Sequence, residues 1–223
     1  MDKIKDNSDY EYKGDIALMK DIARGNMHSL QAFVKRYVDL VWMTSFRILC
    51  DREDSKYVTL KTFAELKSGI LQYDDRLTVE EWILQRTCHN CRVRIVRRKI
   101  LRIYGVTTDL FVRAAPVVED HDDYIVKQSW ELFCRAAVNM NPLQNIIFVL
   151  YALEEVPQGR ISLILGISGF RVALAFRHAQ ERVLAELKHY KHEGDYEKYI
   201  FFLKKVADSL KSDEIFAYIC DRL

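Results

Sequence analysis

The sequence predicts an all-α protein with two helical domains, a linker between them and a helical tail at its C-terminal end. Only 8 glycines and 3 prolines occur in 223 residues, so residues that break helices are scarce. Apolar residues make up 49% of the chain and recur at steps of three and four, the periodicity of a helix with one buried face. The length suits one large domain or two small ones.

The first predicted domain covers residues 10–105 and has four helices. They are expected to begin near Asp15, Met27, Glu53 and Thr78. Gly25 ends the first helix, because glycine suits the left-handed conformation that commonly follows a helix. Thr78 and Glu81 predict a capping box at the start of the fourth helix, and Gly105 ends it.

The composition changes over residues 106–122, which hold a proline and an acidic run, and we interpret this segment as a linker. The second predicted domain covers residues 123–193. Two of its helices are joined by the short turn Gly166-Ile167-Ser168, which is the outline of a helix-turn-helix, and Ser168 is a good N-cap for the second of them. Residues 194–223 predict an amphipathic extension that buries its apolar face on the second domain or on a partner.

A basic run dominates the second half of the fourth helix. Six cations occur there without an acidic residue between them: Arg92, Arg94, Arg97, Arg98, Lys99 and Arg102. An apolar stripe at helical spacing is predicted to face the core and consists of Val93, Val96, Ile100 and Ile103. Because the net charge of the whole chain is only +2, we interpret the run as a localised patch suited to a phosphate backbone. A solvated helix face is the alternative.

Other signals argue against catalysis, metal binding and membrane insertion. The sequence has no glycine-rich phosphate loop, paired-histidine motif or nucleophile elbow, so we expect neither an enzyme nor a cofactor. Cys88 and Cys91 have the spacing of half a zinc site, but no second pair completes it. The five cysteines are irregularly spaced, which favours a reducing cytoplasm. No apolar run approaches the roughly 20 residues that cross a bilayer.

Two ordered series of residues stand out between about residues 14 and 187. The first series contains Ile22-Ala23-Arg24-Gly25, Phe33, Arg36-Tyr37, Asp51-Arg52-Glu53-Asp54, Trp82, Asn90 and Arg97-Arg98-Lys99. The second contains Leu165-Gly166-Ile167-Ser168, Val172 and Ala179. In this order they resemble the two domains of the extracytoplasmic-function sigma factors of bacterial RNA polymerase.

The resemblance implies that the protein binds core RNA polymerase and promoter DNA, and it admits an anti-sigma or other regulatory protein as a further partner. The polymerase-binding residues would lie on the third helix: Glu53, Asp54, Tyr57, Phe63 and Leu66. The DNA-binding residues would be the six cations of the basic run together with Ser168, Arg171, Arg177 and His178 of the helix-turn-helix.

Several positions differ from the family pattern and leave other functions open. Lys56 and Lys61 stand on the third helix where acidic or amide residues are usual, and Ala173 and Ala175 stand where the recognition helix usually has polar residues. One alternative is therefore a degenerate sigma-like scaffold that acts as a protein-interaction regulator. Another is a stand-alone DNA-binding regulator that dimerises through the C-terminal tail.

Overall fold

A computed structural model describes residues 13–73, 75–103, 121–189, 196–208 and 213–223, and it confirms the all-α prediction. Within these ranges the chain forms helices and turns but no strand. The first half contains Asp15–Ala23 (α1), Met27–Leu49 (α2), Arg52–Gly69 (α3), a 3-10 turn at Ile70–Gln72 and Val79–Ile103 (α4). The second half contains His121–Val138 (α5), Pro142–Phe148 (α6), a π-helical turn at Val149–Leu153, Gln158–Leu165 (α7), Gly169–His189 (α8), Tyr196–Asp208 (α9) and Asp213–Cys220 (α10).

The helix boundaries follow from local capping chemistry. Gly25 has a φ of +83° and ends α1 as predicted, because a side chain there would strain the left-handed backbone. Asn26 then caps α2, its side chain accepting a hydrogen bond from the backbone N–H of Ser29 at 3.0 Å. The predicted capping box of α4 is confirmed: the Thr78 hydroxyl accepts from the Glu81 backbone N–H, and the Glu81 carboxylate accepts from the Thr78 N–H.

The second half begins earlier than predicted. Helix α5 starts at His121, so the last two residues of the predicted linker belong to a helix, and residues 106–120 lie outside the described ranges. Asn141 and Gln144 form a reciprocal capping box at the start of α6, with Pro142 in the first turn. Proline suits that position because its missing N–H would have no partner within the helix.

A column of aromatic rings runs from the first half of the chain into the second. Phe46 of α2 stacks on Trp130 of α5 with ring centroids 4.9 Å apart. Trp130 contacts Phe133, which stacks on Phe148 of α6, and Phe148 in turn stacks on Phe176 of α8. Such contacts stabilise a core by area burial and by favourable ring geometry. The two predicted domains therefore share one buried core, and their separation into domains stays a prediction.

A buried polar link reinforces this contact between the halves. Arg47 of α2 forms an ion pair with Glu154, which follows the π-helical turn, at 2.9 Å. The Thr44 hydroxyl donates to the same carboxylate oxygen at 3.2 Å, and Arg47 also donates to the backbone carbonyl of Lys204 in α9 at 3.1 Å. One arginine therefore joins three parts of the chain that lie far apart in sequence.

The C-terminal tail packs on both halves of the molecule. Helix α9 contacts α5, as the sequence predicts, whereas α10 contacts α2 and α3 of the first half. The tail residues that enter the core are Tyr199, Leu203, Val206, Ile215 and Ile219. These apolar side chains are covered by the same chain, whereas Phe201 of α9 is exposed, and dimerisation through the tail stays a prediction.

No single helix in the described ranges is both long and apolar enough to cross a membrane. Helices α7 and α8 reach that length and hydropathy only when they are counted together, and they are bent by 107° relative to each other.

Candidate nucleic-acid interface

A cluster of buried charges holds α4 against the start of α3. Arg98 is only 8% exposed; its guanidinium contacts the carboxylate of Asp54 and lies 3.4 Å from that of Asp51. Arg94 donates a hydrogen bond to the other oxygen of Asp54. Arg98 also donates to the backbone carbonyl of Leu49 at 3.1 Å. Two arginines of the predicted DNA-binding run are therefore engaged within the fold.

The position of the two aspartates explains why the arginines turn inward. Asp51 is the N-cap of α3 and accepts a hydrogen bond from the backbone N–H of Asp54 at 2.7 Å. Both carboxylates are buried, and a buried carboxylate is costly unless a cation accompanies it. Arg94 and Arg98, four residues apart on α4, supply that charge from one side of the helix. The hydrogen bond to Asp54 raises the pKa of Arg94.

This placement makes the predicted orientation of α4 wrong in its second half. Val93, Val96 and Ile100 of the predicted core stripe are 44%, 42% and 48% exposed, and the side chain of Ile103 lies outside the described residues. A buried charge left without its partner costs about 3–5 kcal/mol, and both buried carboxylates meet their cations on the side of α4 that carries Arg94 and Arg98. This side therefore faces inward.

Fewer cations of the basic run are available to a ligand than the sequence predicts. Arg92 and Arg97 are exposed. Lys99 is also exposed, but its ammonium group donates to the backbone carbonyl of Met140 at 3.3 Å. The side chain of Arg102 lies outside the described residues. The prediction that Arg94 and Arg98 contact DNA is corrected, because the buried aspartates engage their guanidinium groups.

The turn between α7 and α8 forms a sharp corner. The two helices are bent by 107°, and Gly166 ends α7 with a φ of +63°. The backbone N–H of Ile167 donates back to the carbonyl of Ser162 at 3.1 Å. Ser168 precedes α8, and its hydroxyl accepts from the backbone N–H of Arg171 at 3.4 Å. These contacts fix the direction in which α8 leaves the turn.

The four predicted DNA-binding residues of this corner are all exposed: Ser168, Arg171, Arg177 and His178. Arg171 and His178 are seven residues apart, or about two helical turns, so they share one face of α8. Arg177 lies beside them and forms an ion pair with Glu181 at 3.2 Å. An exposed pair at this spacing is worth only about 0.3–0.5 kcal/mol, so Arg177 can exchange its partner at little cost.

Apolar side chains are also exposed at the same corner. Phe170, in the first turn of α8, is 76% exposed. Leu174 lies one turn further along, and Leu163 lies at the end of α7; both are exposed. The sequence did not predict this feature, because apolar residues at helical spacing normally indicate the core. A large exposed ring beside two leucines is a common sign of an interaction surface.

The corner is fixed to the N-terminal part of α4. Arg160 of α7 forms a two-pronged ion pair with the carboxylate of Glu81, and the Gln85 amide donates to the backbone carbonyl of Ile164 at 3.0 Å. The hydrogen bond from Arg160 lowers the pKa of Glu81 below its usual value of 4.5, although partial burial opposes the shift. Helix α7 therefore lies in a defined position on the first half of the chain.

The residues predicted to bind polymerase divide between the surface and the core. Glu53 and Tyr57 are exposed on α3. Phe63 and Leu66 are buried in the core, and Asp54 is occupied by the arginines of α4. The prediction that these last three residues contact a partner is corrected, because each is covered by its own chain. The helical spacing of Phe63 and Leu66 was the signal in the sequence for their burial, because such spacing indicates a core face.

Cys88 and Cys91 of α4 are packed in the protein core as small apolar residues. Both are buried, and burial raises the pKa of each thiol, to about 12 for Cys91. Between them, Asn90 donates to Thr62 and Glu65 of α3. In the part of the chain that the structure describes, no three His, Cys, Asp or Glu side chains are grouped closely enough to hold a metal ion.

Comparison with known proteins adds no family assignment. No protein-family model matches the sequence, and no curated protein matches it. The resemblance to extracytoplasmic-function sigma factors therefore stays a prediction that depends on the residues quoted above.

Replacing Arg98 should test the structural role of the charge cluster. We expect Arg98→Ala to lower the free energy of unfolding by about 3–5 kcal/mol, because the buried Asp51 loses its cation and the buried Asp54 keeps only Arg94. The exposed neighbour offers a matched control: Arg97→Ala should change it by less than about 0.5 kcal/mol. Urea denaturation measures the free energy of unfolding of both variants. An Asp54→Ala/Arg98→Ala double variant should lose less than the sum of the single variants, and equal losses for Arg97 and Arg98 would contradict the assignment.

The Glu81–Arg160 pair should make stability depend on pH. Since the folded-state pKa of Glu81 is lowered, its contribution is fully present above the ordinary value of 4.5 and is lost as the pH falls through the lowered value. We expect the difference in unfolding free energy between the native chain and Glu81→Gln to be constant above pH 4.5 and to shrink as the pH falls below it. Arg160→Met should behave in the same way. A difference that stays constant down to the acid transition would refute the pairing.

Proposed function

We propose that this protein is a DNA-binding transcription protein of the sigma-factor type, which contacts duplex DNA through α8 and acts together with core RNA polymerase. The observation that carries the proposal is the corner between α7 and α8. It combines a bend of 107° with Arg171, Arg177 and His178 exposed on the second helix. A bend of about 90–120° across a short glycine-containing turn is typical of helix-turn-helix units.

The dimensions of α8 suit the major groove of DNA. The helix has 21 residues, a length of roughly 31 Å, and an α-helix fits the width of that groove. Arg171, Arg177 and His178 lie in its first half, which is the part that enters the groove in helix-turn-helix proteins, whereas the exposed Arg182 and Lys188 lie further along the helix. In this arrangement Arg171 and His178 would face the groove, and Arg177 would lie near a phosphate.

The chemistry of these side chains favours phosphate contacts over extensive base reading. Two arginines and one histidine offer hydrogen-bond donors, and the exposed Leu174 between them can only make apolar contacts. Arginine can bind the edge of guanine with two hydrogen bonds, so Arg171 is the residue best suited to recognise a base. We therefore propose binding with strong salt dependence and moderate sequence preference.

The proposed contact with core polymerase uses the exposed side of α3. Glu53 and Tyr57 are exposed there, and the guanidinium carbon of Arg94 lies 5.0 Å from the centroid of the Tyr57 ring. The two lysines that differ from the family pattern are both paired with acids, Lys56 with Glu53 at 3.3 Å and Lys61 with Glu65 at 3.5 Å. Their positive charge is thus partly offset on the same helix, which leaves a surface of mixed charge for a partner.

A protein-interaction role without promoter selection is the second candidate, and the exposed Phe170 supports it. A phenylalanine that is 76% exposed next to Leu163 and Leu174 gains more from an apolar partner than from a phosphate backbone. Retention on immobilised core polymerase separates the two functions. The proposed function requires retention that a Glu53→Lys/Tyr57→Ala variant loses, whereas a folded protein that is not retained would support the second candidate.

DNA binding by α8 can be measured by fluorescence anisotropy with a labelled duplex at several salt concentrations. Each phosphate contact contributes about 0.9 to the slope of log affinity against log salt. We expect Arg171→Ala/Arg177→Ala to weaken binding and to reduce the slope by about one unit, because Arg177 is the residue placed near a phosphate. Lys188→Ala, at the far end of the same helix, is the control and should keep the native slope. An unchanged slope in the double variant would overturn the assignment of α8.

A further inference from the structure

The outward side of α4 carries an apolar stripe that has no partner in the described part of the chain. Val93, Val96 and Ile100 are spaced by three and four residues, so they lie along one face of the helix. Each is between 42% and 48% exposed. Isolated apolar residues on a surface are ordinary, but three in register on one helix form a continuous contact strip.

Positive charge flanks this stripe. Arg92 and Arg97 are exposed beside it. Arg94 and Arg98 lie on the other side of the helix, where both pair with Asp54. Residues 82–103 of α4 contain no acidic side chain. The face therefore combines an apolar centre with a basic edge and carries no compensating negative charge of its own.

A nucleic acid fits this face less well than a protein does. Unpaired bases bind to aromatic side chains by stacking, but the exposed side chains of α4 between Arg92 and Ile100 are aliphatic or cationic and include no aromatic ring. Phosphates gain nothing from contact with three aliphatic side chains. An amphipathic helix uses all of these groups, because its apolar residues cover the stripe and its acids reach the arginines.

We propose that the outer face of α4, formed by Arg92, Val93, Val96, Arg97 and Ile100, is a docking site for an acidic amphipathic helix of a partner protein. A second copy of the chain is a poor occupant, since a two-fold contact through this face would bring its arginines against their own equivalents. The inference is independent of DNA binding by α8, because the two surfaces share no residue.

Two synthetic helical peptides test the proposal with the full chain. Both present leucines at steps of three and four; one carries glutamates beside them and the other lysines. We expect the glutamate peptide to bind at least tenfold more tightly, and Val96→Ser to weaken it about tenfold. An Arg92→Glu/Arg97→Glu variant should reverse the preference between the peptides. Ile16→Ser, at an exposed position of α1, is the matched control and should bind like the native chain.

Several results would overturn the proposal. Equal affinity for both peptides, no saturable binding up to about 1 mM, or an unchanged affinity in Val96→Ser would each do so. Methyl spectra locate the contact: the signals of Val93, Val96 and Ile100 must shift on titration. If a single-stranded or duplex oligonucleotide, added without peptide, shifts those signals and the shift disappears in Val96→Ser, the face binds nucleic acid instead. Loss of DNA binding by the α8 variants would leave this inference unaffected.

Discussion

Two carboxylates at the start of α3 constrain much of the surface that this protein presents. Asp51 caps the helix and lies beside Asp54 in the interior, where both need cationic partners. Arg94 and Arg98 meet that need from α4, and in doing so they set the rotation of the helix about its axis. The apolar stripe of α4 is consequently turned to the outside. A local capping requirement on one helix thus determines which face of another is available to partners.

The sequence predicts individual helices well because the relevant signals are local. Gly25, the Thr78–Glu81 box and the turn at Gly166 each act within a few residues, and all lie where the periodicity places a boundary. The rotation of α4 and the position of α10 depend on pairing over a long sequence distance. The spacing of Val93, Val96 and Ile100 was a valid helical signal, but a single helix cannot show which of its two faces has a partner.

The candidate site was predicted in part for the same reason. The exposed polar residues in the first half of α8 follow from their place in a short turn and helix, so Arg171, Arg177 and His178 could be named from the sequence. The exposure of Phe170 could not, since an aromatic residue at helical spacing normally indicates the core. The buried role of Arg98 was also hidden, although aspartates three residues apart and arginines four residues apart were a usable sign of a compact charge cluster.

Arginine therefore serves two purposes in this fold: it neutralises acids inside, at α4, and is available to polyanions outside, at α8. The most direct test of this division is the accessibility of α4 to a thiol reagent. In a Val96→Cys variant the new thiol should react with a maleimide in the native state at a rate near that of an exposed cysteine. Cys88 and Cys91, buried on the same helix, should react only after unfolding. Protection of position 96 equal to that of these two cysteines would contradict the orientation of α4 and the functional assignments that depend on it.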